Sequence, residues 1–465
     1  MPDLSHALLW HSKYYLSVLR QARNLYLSGN NGLHLAVDLF DRNVENIRRG
    51  QGAAAKLNLK NREMASICSE YPDSGLFLLD LRLHPSDQIQ WLSAAVDSAK
   101  VIQDFSAEGR HTGNLGNAFA DLGDLDQAIH CYRHHKIIAR QTADQHGEAN
   151  ATGNIANMYY AQGRSREAIE LYQEALSMQG KIHDRRGEAG TLVNLGAAFS
   201  TLGDRATAIA YYEQALVVLK ELGDVRSEGV VLGNLGLAFA DLGETEKAIE
   251  HYKMRLAIAR NLHDVRSECY ALGNLGLVYE SRGDIQQAFD SQLESMQIAR
   301  EIGDQRAYMK SLANIGGLFM DAGKPDEAVS SLDNALQLAR QIGDHFLEGR
   351  ILNNLGICHR RNAEISMNYF DQALTIAKET GDLQGEGNAW RNKGRTCYLS
   401  RRYEQARSCY KRSLDIARRL GDKQREAQVL GDLDGLDRSI GRPKEAAGHD
   451  RIKKRSVKRN RVGSK

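Results

Sequence analysis

The sequence predicts an all-α solenoid of antiparallel helix pairs, and three observations carry that prediction. The tripeptide Asn-Leu-Gly or a near copy recurs at Asn114, Asn154, Asn194, Asn234, Asn274, Asn314 and Asn354, each step being 40 residues. Every interval holds two apolar stretches of helical period separated by a turn, the pattern of a stacked two-helix unit. Only 5 prolines stand beside 42 glycines in 465 residues. Few prolines suit a helical chain, and the glycines then need fixed structural places.

The first helix of a unit carries Leu115, Gly116 and Phe119 before the turn Asp121-Leu122-Gly123-Asp124; the second carries Ala128 and Tyr132 and an apolar run to Ala139. The same residues return as Leu235, Gly236, Phe239, Ala248 and Tyr252, and as Leu275, Gly276, Tyr279 and Ala288. A glycine inside a helix costs about 1 kcal/mol relative to alanine. Its repetition therefore predicts close helix crossing, with the aromatic ring filling the wedge beside it. The second glycine, as in Gly203-Asp204 and Gly283-Asp284, is expected to end the first helix in a left-handed conformation. Gly223-Asp224, Gly303-Asp304, Gly343-Asp344, Gly381-Asp382 and Gly421-Asp422 are expected to do so between units. The next ladder member, Asn392, comes 38 residues on, because the turn at Arg360-Arg361-Asn362-Ala363-Glu364 is two residues short; Asp432 follows after another 40.

These motifs resemble the tetratricopeptide repeat, with Leu-Gly-x-x-Tyr in one helix and Ala-x-x-x-Phe in the next. The usual unit has 34 residues and a proline closing its second helix. Here Arg140, Arg260, Arg300 and Arg340 occupy that place and the helix runs on. The chain is therefore similar to the 40-residue subgroup of Leu-Gly-Asn proteins and kinesin light chains. That resemblance, over about residues 68–450, implies a right-handed superhelix and a protein-binding role. On it, 1–67 is an N-terminal helical cap (Leu8, Leu9, Tyr14, Tyr15, Leu19, Leu25, then Leu33, Leu35, Phe40). Residues 68–107 are a degenerate repeat, with Leu92 and Ala95 one unit before Tyr132 and His135, and Trp91 beside them. Residues 108–425 are eight repeats, 426–450 capping helices, and 451–465 a basic, disordered tail. The opening also resembles the segment leading into the repeat sensor of bacterial NB-ARC-type signalling NTPases.

Catalysis and cofactors are not expected. Gly317 and Gly323-Lys324 are one residue too far apart for a phosphate-binding loop, and Pro325 follows where Ser or Thr would hold magnesium. No metal is expected at Cys131, His134 and His135, since adjacent helix residues point about 100° apart; the pair reads instead as an exposed polar stretch. The six cysteines have no C-x-x-C and read as isolated buried thiols of a reducing, cytoplasmic compartment. No membrane partner is expected. From Arg391 onward 23 Lys/Arg face 9 Asp/Glu, leaving the rest of the chain acidic. The tail could therefore bind nucleic acid through phosphate contacts, though no aromatic follows Tyr410 to stack on bases.

In the family, positions 2, 5, 6, 9, 12 and 13 of the first helix face the concave groove, counting the Leu of Leu-Gly as 7. On that register the Asn ladder, Asn392 included, is position 6. An amide both donates and accepts, so a row of them can pair with the main chain of an extended peptide, or equally with neighbouring helices to set the twist. Position 5 is small at Gly113, Gly153, Gly233, Gly273 and Ala313, leaving room for a ligand. Asp121, Asp241, Glu280 and Asp321 are acidic groove candidates. Arg350, Arg360, Arg361, Arg391 and Arg395 fall at positions 2, 12, 13, 5 and 9 and could grip an acidic peptide. Lys393, where the family has Leu, is expected to keep its amine in water or to loosen its repeat. The expected function is a non-enzymatic adaptor for a protein or peptide partner. The alternative is the sensor arm of a bacterial NTPase-type signalling or defence system.

Overall fold

The computed structural model describes residues 4–28 and 32–441. Among these residues there are 21 helices and no strand. The chain divides into two compact units after Leu242. The first contains α1 (Leu4–Leu27), α2 (Gly32–Leu57), α3 (Arg62–Arg82), α4 (Pro85–Ile102), α5 (Phe105–Leu122), α6 (Leu125–Gln141), α7 (Gln145–Ala161), α8 (Ser165–Lys181), α9 (Arg185–Thr201), α10 (Arg205–Leu222) and α11 (Val225–Asp241). The second contains α12 (Thr245–Asn261), α13 (Val265–Arg282), α14 (Ile285–Glu301), α15 (Gln305–Asp321), α16 (Pro325–Ile342), α17 (His345–Cys358), α18 (Ala363–Glu379), α19 (Leu383–Leu399), α20 (Tyr403–Leu420) and α21 (Lys423–Ser439). The helix anticipated after Pro443 and the basic tail lie outside the described residues.

Within each unit, from α3 onward, consecutive helices pack as hairpins across turns of two to four residues, and alternate helices also touch. The Gly-Asp junctions explain the regularity. Gly223, Gly303 and Gly343 have φ of 66°, 71° and 69°, a conformation open to glycine without steric cost. The following aspartate then starts the next helix: Asp224, Asp304 and Asp344 accept from the backbone N–H of Ser227, Ala307 and Leu347 at 3.1, 3.0 and 3.0 Å. Each such cap is worth about 1 kcal/mol. Where glycine is missing, Gln103, Ala143, His183 and His263 adopt the same left-handed turn, with φ between 52° and 60°. The arginines in place of proline close the junction from outside. Arg140, Arg260, Arg340 and Arg418 donate across it to Glu148, Glu268, Glu348 and Glu426 at 2.6, 2.6, 2.8 and 3.0 Å.

The in-helix glycines lie under rings. A Cβ placed on Gly116, Gly196 or Gly356 would come within 2.6, 2.5 and 2.6 Å of Tyr132, Tyr212 and Phe370. Alanines of the second helices, such as Ala128, Ala168, Ala208 and Ala288, are fully buried. In the first unit, α1 and α2 form a longer hairpin tied by the Ser12 hydroxyl to the Gly50 carbonyl at 2.8 Å. Its core of Leu19, Phe40 and Ile47 continues into Met64, Tyr71 and Trp91. The segment expected to be a degenerate repeat holds the helix pair α3 and α4, which begins earlier than 68. Asn61 caps α3, accepting from the backbone N–H groups of Glu63 and Met64 at 2.9 and 3.2 Å.

Several expectations need correction. The His134-His135 pair is exposed only in the side chain of His134: His135 packs against Gly109 and Gly113, and burial lowers its pKa. The cysteines do not all stand apart, because the buried thiols of Cys397 and Cys409 lie close enough for each to influence the other's ionisation. Lys393 neither snorkels to water nor loosens its repeat. Its ammonium pairs with Asp371 and lies 5.5 Å from the Trp390 ring centre. No cluster of three metal-ligating side chains occurs among the described residues.

Candidate functional site

The Asn ladder is half-buried throughout, and within each unit, from α5 onward, successive first helices touch. Two members are spent within the protein. Asn194 donates to Asn157 at 3.1 Å, and Asn392 donates to Asn353 at 3.1 Å. Among the described residues, Asn114, Asn154, Asn234, Asn274, Asn314 and Asn354 have no side-chain hydrogen bond within the protein, and their amides remain open.

In the first unit, Asn114 and Asn154 border a cavity of about 580 Å³. The space that Gly113 was expected to leave for a ligand is filled by His135, whose Nδ1 would lie 2.8 Å from a Cβ there. Its ring is held where the equivalent residues are Ala175 and Ala215. The neighbouring asparagines are structural: the hydroxyls of Tyr132 and Tyr172 donate to Asn117 and Asn157, each at 2.7 Å. Arg110 is bound by both oxygens of Asp73, at 3.1 and 2.6 Å. Of the acidic candidates in this unit, Asp241 is held by Arg205 at 2.7 Å, while Asp121 is exposed.

In the second unit, α13, α15 and α17 bring Asn274, Asn314 and Asn354 onto one cavity of about 200 Å³. Here the small position is open. The nearest side-chain atom to a Cβ on Gly273 would be Ser295 Oγ at 3.4 Å. Lys310 and Arg350, both exposed, stand on the same rim, and neither has a carboxylate partner among the described residues. Glu280 is the acidic candidate whose environment departs most. Burial, and then the charge of Asp321, raises its pKa.

The arginines do not act as one group. Arg391 is committed, its Nε donating to Asp432 at 2.6 Å and a terminal nitrogen to Gln428 at 2.9 Å. Arg360 and Arg361 are not at helical positions 12 and 13, because α17 ends at Cys358 and both lie in the shortened turn. There Arg360 reaches Asn392 at 3.4 Å while its buried Nε lacks an acceptor. Burial, and then the charge of Arg395, lowers its pKa. Arg350 and Arg395 are exposed and unpaired among the described residues.

Sequence patterning alone passed over Lys310 and Gln292, and read His135 only as part of an exposed stretch. The signal for the last two is their departure from the repeat. Gln292 stands where other units carry Tyr132, Tyr172, Tyr212 and Tyr252.

Stacked helix pairs with this ladder define a repeat solenoid. Family comparison makes the class specific. A tetratricopeptide repeat profile matches residues 108–181, 187–261, 305–379, 362–419 and 385–451, and a second one matches 269–302. The chain belongs to the tetratricopeptide repeat family. No protein of curated function matches it. Solved structures agree in fold. The apo form of the quorum sensor NprR from B. thuringiensis is 14% identical with a TM-score of 0.54, covering 72% of this chain and 98% of its own. A signal transduction ATPase with numerous domains and a tetratricopeptide repeat sensor, from Pyrococcus horikoshii, is 13% identical with a TM-score of 0.58. That match covers 90% of this chain and 65% of the ATPase. Aspartyl phosphate phosphatase F from Bacillus subtilis is 13% identical with a TM-score of 0.50, covering 73% of this chain and 95% of its own. No helix among the described residues is long and apolar enough to cross a membrane.

Proposed function

We propose that the chain is a non-catalytic scaffold that holds an extended segment of a partner protein along the ladder of its second unit. The observation that carries this reading is the alignment of three open amides, Asn274, Asn314 and Asn354, on one cavity beside the small Gly273 and Ala313. Carboxamides at that spacing can donate to and accept from a peptide backbone whatever its side chains. The unpaired Lys310 and Arg350 favour a partner with acidic residues near that stretch. Arg395 on α19 and the under-satisfied Arg360 in the turn after α17 extend the same preference.

A double substitution Asn314→Ala and Asn354→Ala tests the reading. Each lost hydrogen bond is worth about 1 kcal/mol, so affinity for the captured partner should fall roughly thirtyfold. Far-UV helicity should be unchanged. Undiminished capture by the double variant, at wild-type helicity, removes the groove from the account.

A second reading makes the chain the sensor arm of an NTPase-type signalling system. It is favoured by the fold likeness to the ATPase whose repeats form a sensor, across 90% of this chain. Co-purification with an NTPase subunit through the same asparagines would support it.

A further inference from the structure

The cavity beneath the second unit's ladder has a polar floor that the repeat pattern does not call for. At the place where other units bury an aromatic ring against the in-helix glycine, α14 supplies Gln292, which is 1% exposed. Gly276 faces Gln292 as Gly116 and Gly196 face Tyr132 and Tyr212. The orientation of the Gln292 amide is fixed by its surroundings. Its Nε2 donates to the Gly273 carbonyl at 2.9 Å, a group that can only accept. The oxygen must therefore face the other way, and Gln292 Oε1 is buried without any partner. A buried unsatisfied carbonyl costs free energy comparable to a lost hydrogen bond.

The hydroxyl and thiol donors beside it on the floor are already spent. Ser295 Oγ donates to the Cys269 carbonyl at 3.0 Å, Ser311 Oγ donates to Ser295 Oγ at 3.1 Å, and Cys269 Sγ points to the Ser295 carbonyl at 3.3 Å. What the floor still offers is acceptor capacity. Lys310 and Arg350 at the rim repel a cation, which leaves a neutral donor as the group that fits.

We infer that this cavity seats one side chain of the groove's ligand, and that this side chain carries a neutral hydrogen-bond donor, a carboxamide or a hydroxyl, for Gln292 Oε1. The inference rests on the proposed peptide-binding role and adds selectivity to it. The open amides hold the main chain without reading sequence, whereas Gln292 reads one residue. Absence of the donor leaves the carbonyl unpaired, the arrangement by which sites reject analogues that lack a hydrogen-bonding group.

The test is a positional-scanning library of capped linear peptides presented to the full chain, with bound peptides read by mass spectrometry. The wild type should enrich Asn, Gln, Ser or Thr at one position; the balance between amides and hydroxyls identifies which group is seated. Gln292→Tyr restores the ring of the other repeats, fills the cavity and should keep or raise the thermal midpoint. It should erase that one preference, with about a tenfold loss for the best peptide, while preferences elsewhere persist. Gln292→Met, similar in size but without the acceptor, should do the same and guards against a packing artefact from the ring. Peptide capture that shows no such position, or a preference that survives both substitutions, overturns the inference and leaves the groove standing. Failure of the wild type to capture any peptide overturns both.

Discussion

In the first unit, the rings of Tyr132 and Tyr172 lie over the first helices and their hydroxyls reach Asn117 and Asn157, with Asn194 bonded on to Asn157. In the second unit, Gln292 and Leu332 stand at the equivalent places, and Asn274, Asn314 and Asn354 have no partner within the chain among the described residues. The same 40-residue pattern thus spends polar side chains on its own packing around Asn157 and leaves them available around Asn274, Asn314 and Asn354. What distinguishes these repeats is one position of the second helix. A tyrosine hydroxyl there anchors an asparagine of the first helix, while Gln292 and Leu332 carry no hydroxyl to do so.

Substitution of those glycines should break the comparison most sharply. Gly196→Ala drives a methyl group into Tyr212, which is 3% exposed and has no free rotamer to take. It should cost about 3 kcal/mol in urea unfolding, the upper end for overpacking a core. Gly276→Ala meets an unbranched chain instead of a ring, at Nε2, Cδ and Cγ of Gln292. Moving it sacrifices the bond to the Gly273 carbonyl, a cost of about 1 kcal/mol that the gain in helix propensity offsets in part. It should cost less than Gly196→Ala. Equal losses would mean that the wedges are equally tight.

A smaller effect separates the arginines of α19. Arg391→Glu sets a carboxylate against Asp432 and should lower stability by about 1 kcal/mol. Arg395→Glu relieves the repulsion felt by Arg360 and should stay within about 0.5 kcal/mol of the parent, or exceed it. Reversal of that order in thermal melts would show that Arg391, not Arg395, is the unspent cation.

The smallest effect is a pH dependence at Glu280. A carboxyl with a raised native pKa keeps its proton when folded over a range where the unfolded chain has lost it, so stability falls as pH rises through that range. Urea midpoints should decline on moving upward from the ordinary carboxylate range, and less so in Glu280→Gln. Parallel profiles for parent and variant would show that Asp321 and burial do not disfavour the charge.

Much of the fold was legible because its causes are local. The Asn-Leu-Gly spacing, the glycine beneath the ring and the Gly-Asp turns each depend on residues within one unit. The site was less so. Arg360 and Arg391 occupy groove positions by counting, yet the missing two residues drop Arg360 into a turn, and Asp432 of the next unit claims Arg391. Counting places a side chain on a face; it does not tell which neighbour already holds it. The aspartates of the Gly-Asp pairs were recognised as turn residues, but their role as caps emerged only from the backbone N–H groups they accept.

The Gly-Asp junction has a consequence for how such a chain can change length. Since one dipeptide closes the preceding helix and opens the following one, a cut made there and a whole unit added or removed leaves every terminus capped as before. Duplication or loss in steps of 40 is therefore nearly free for the flanking hairpins. Removal of two residues, as at the turn after Cys358, instead shortens a helix and strands a cation. Growth by whole modules is the path this architecture leaves open, and single-residue drift is the one it penalises.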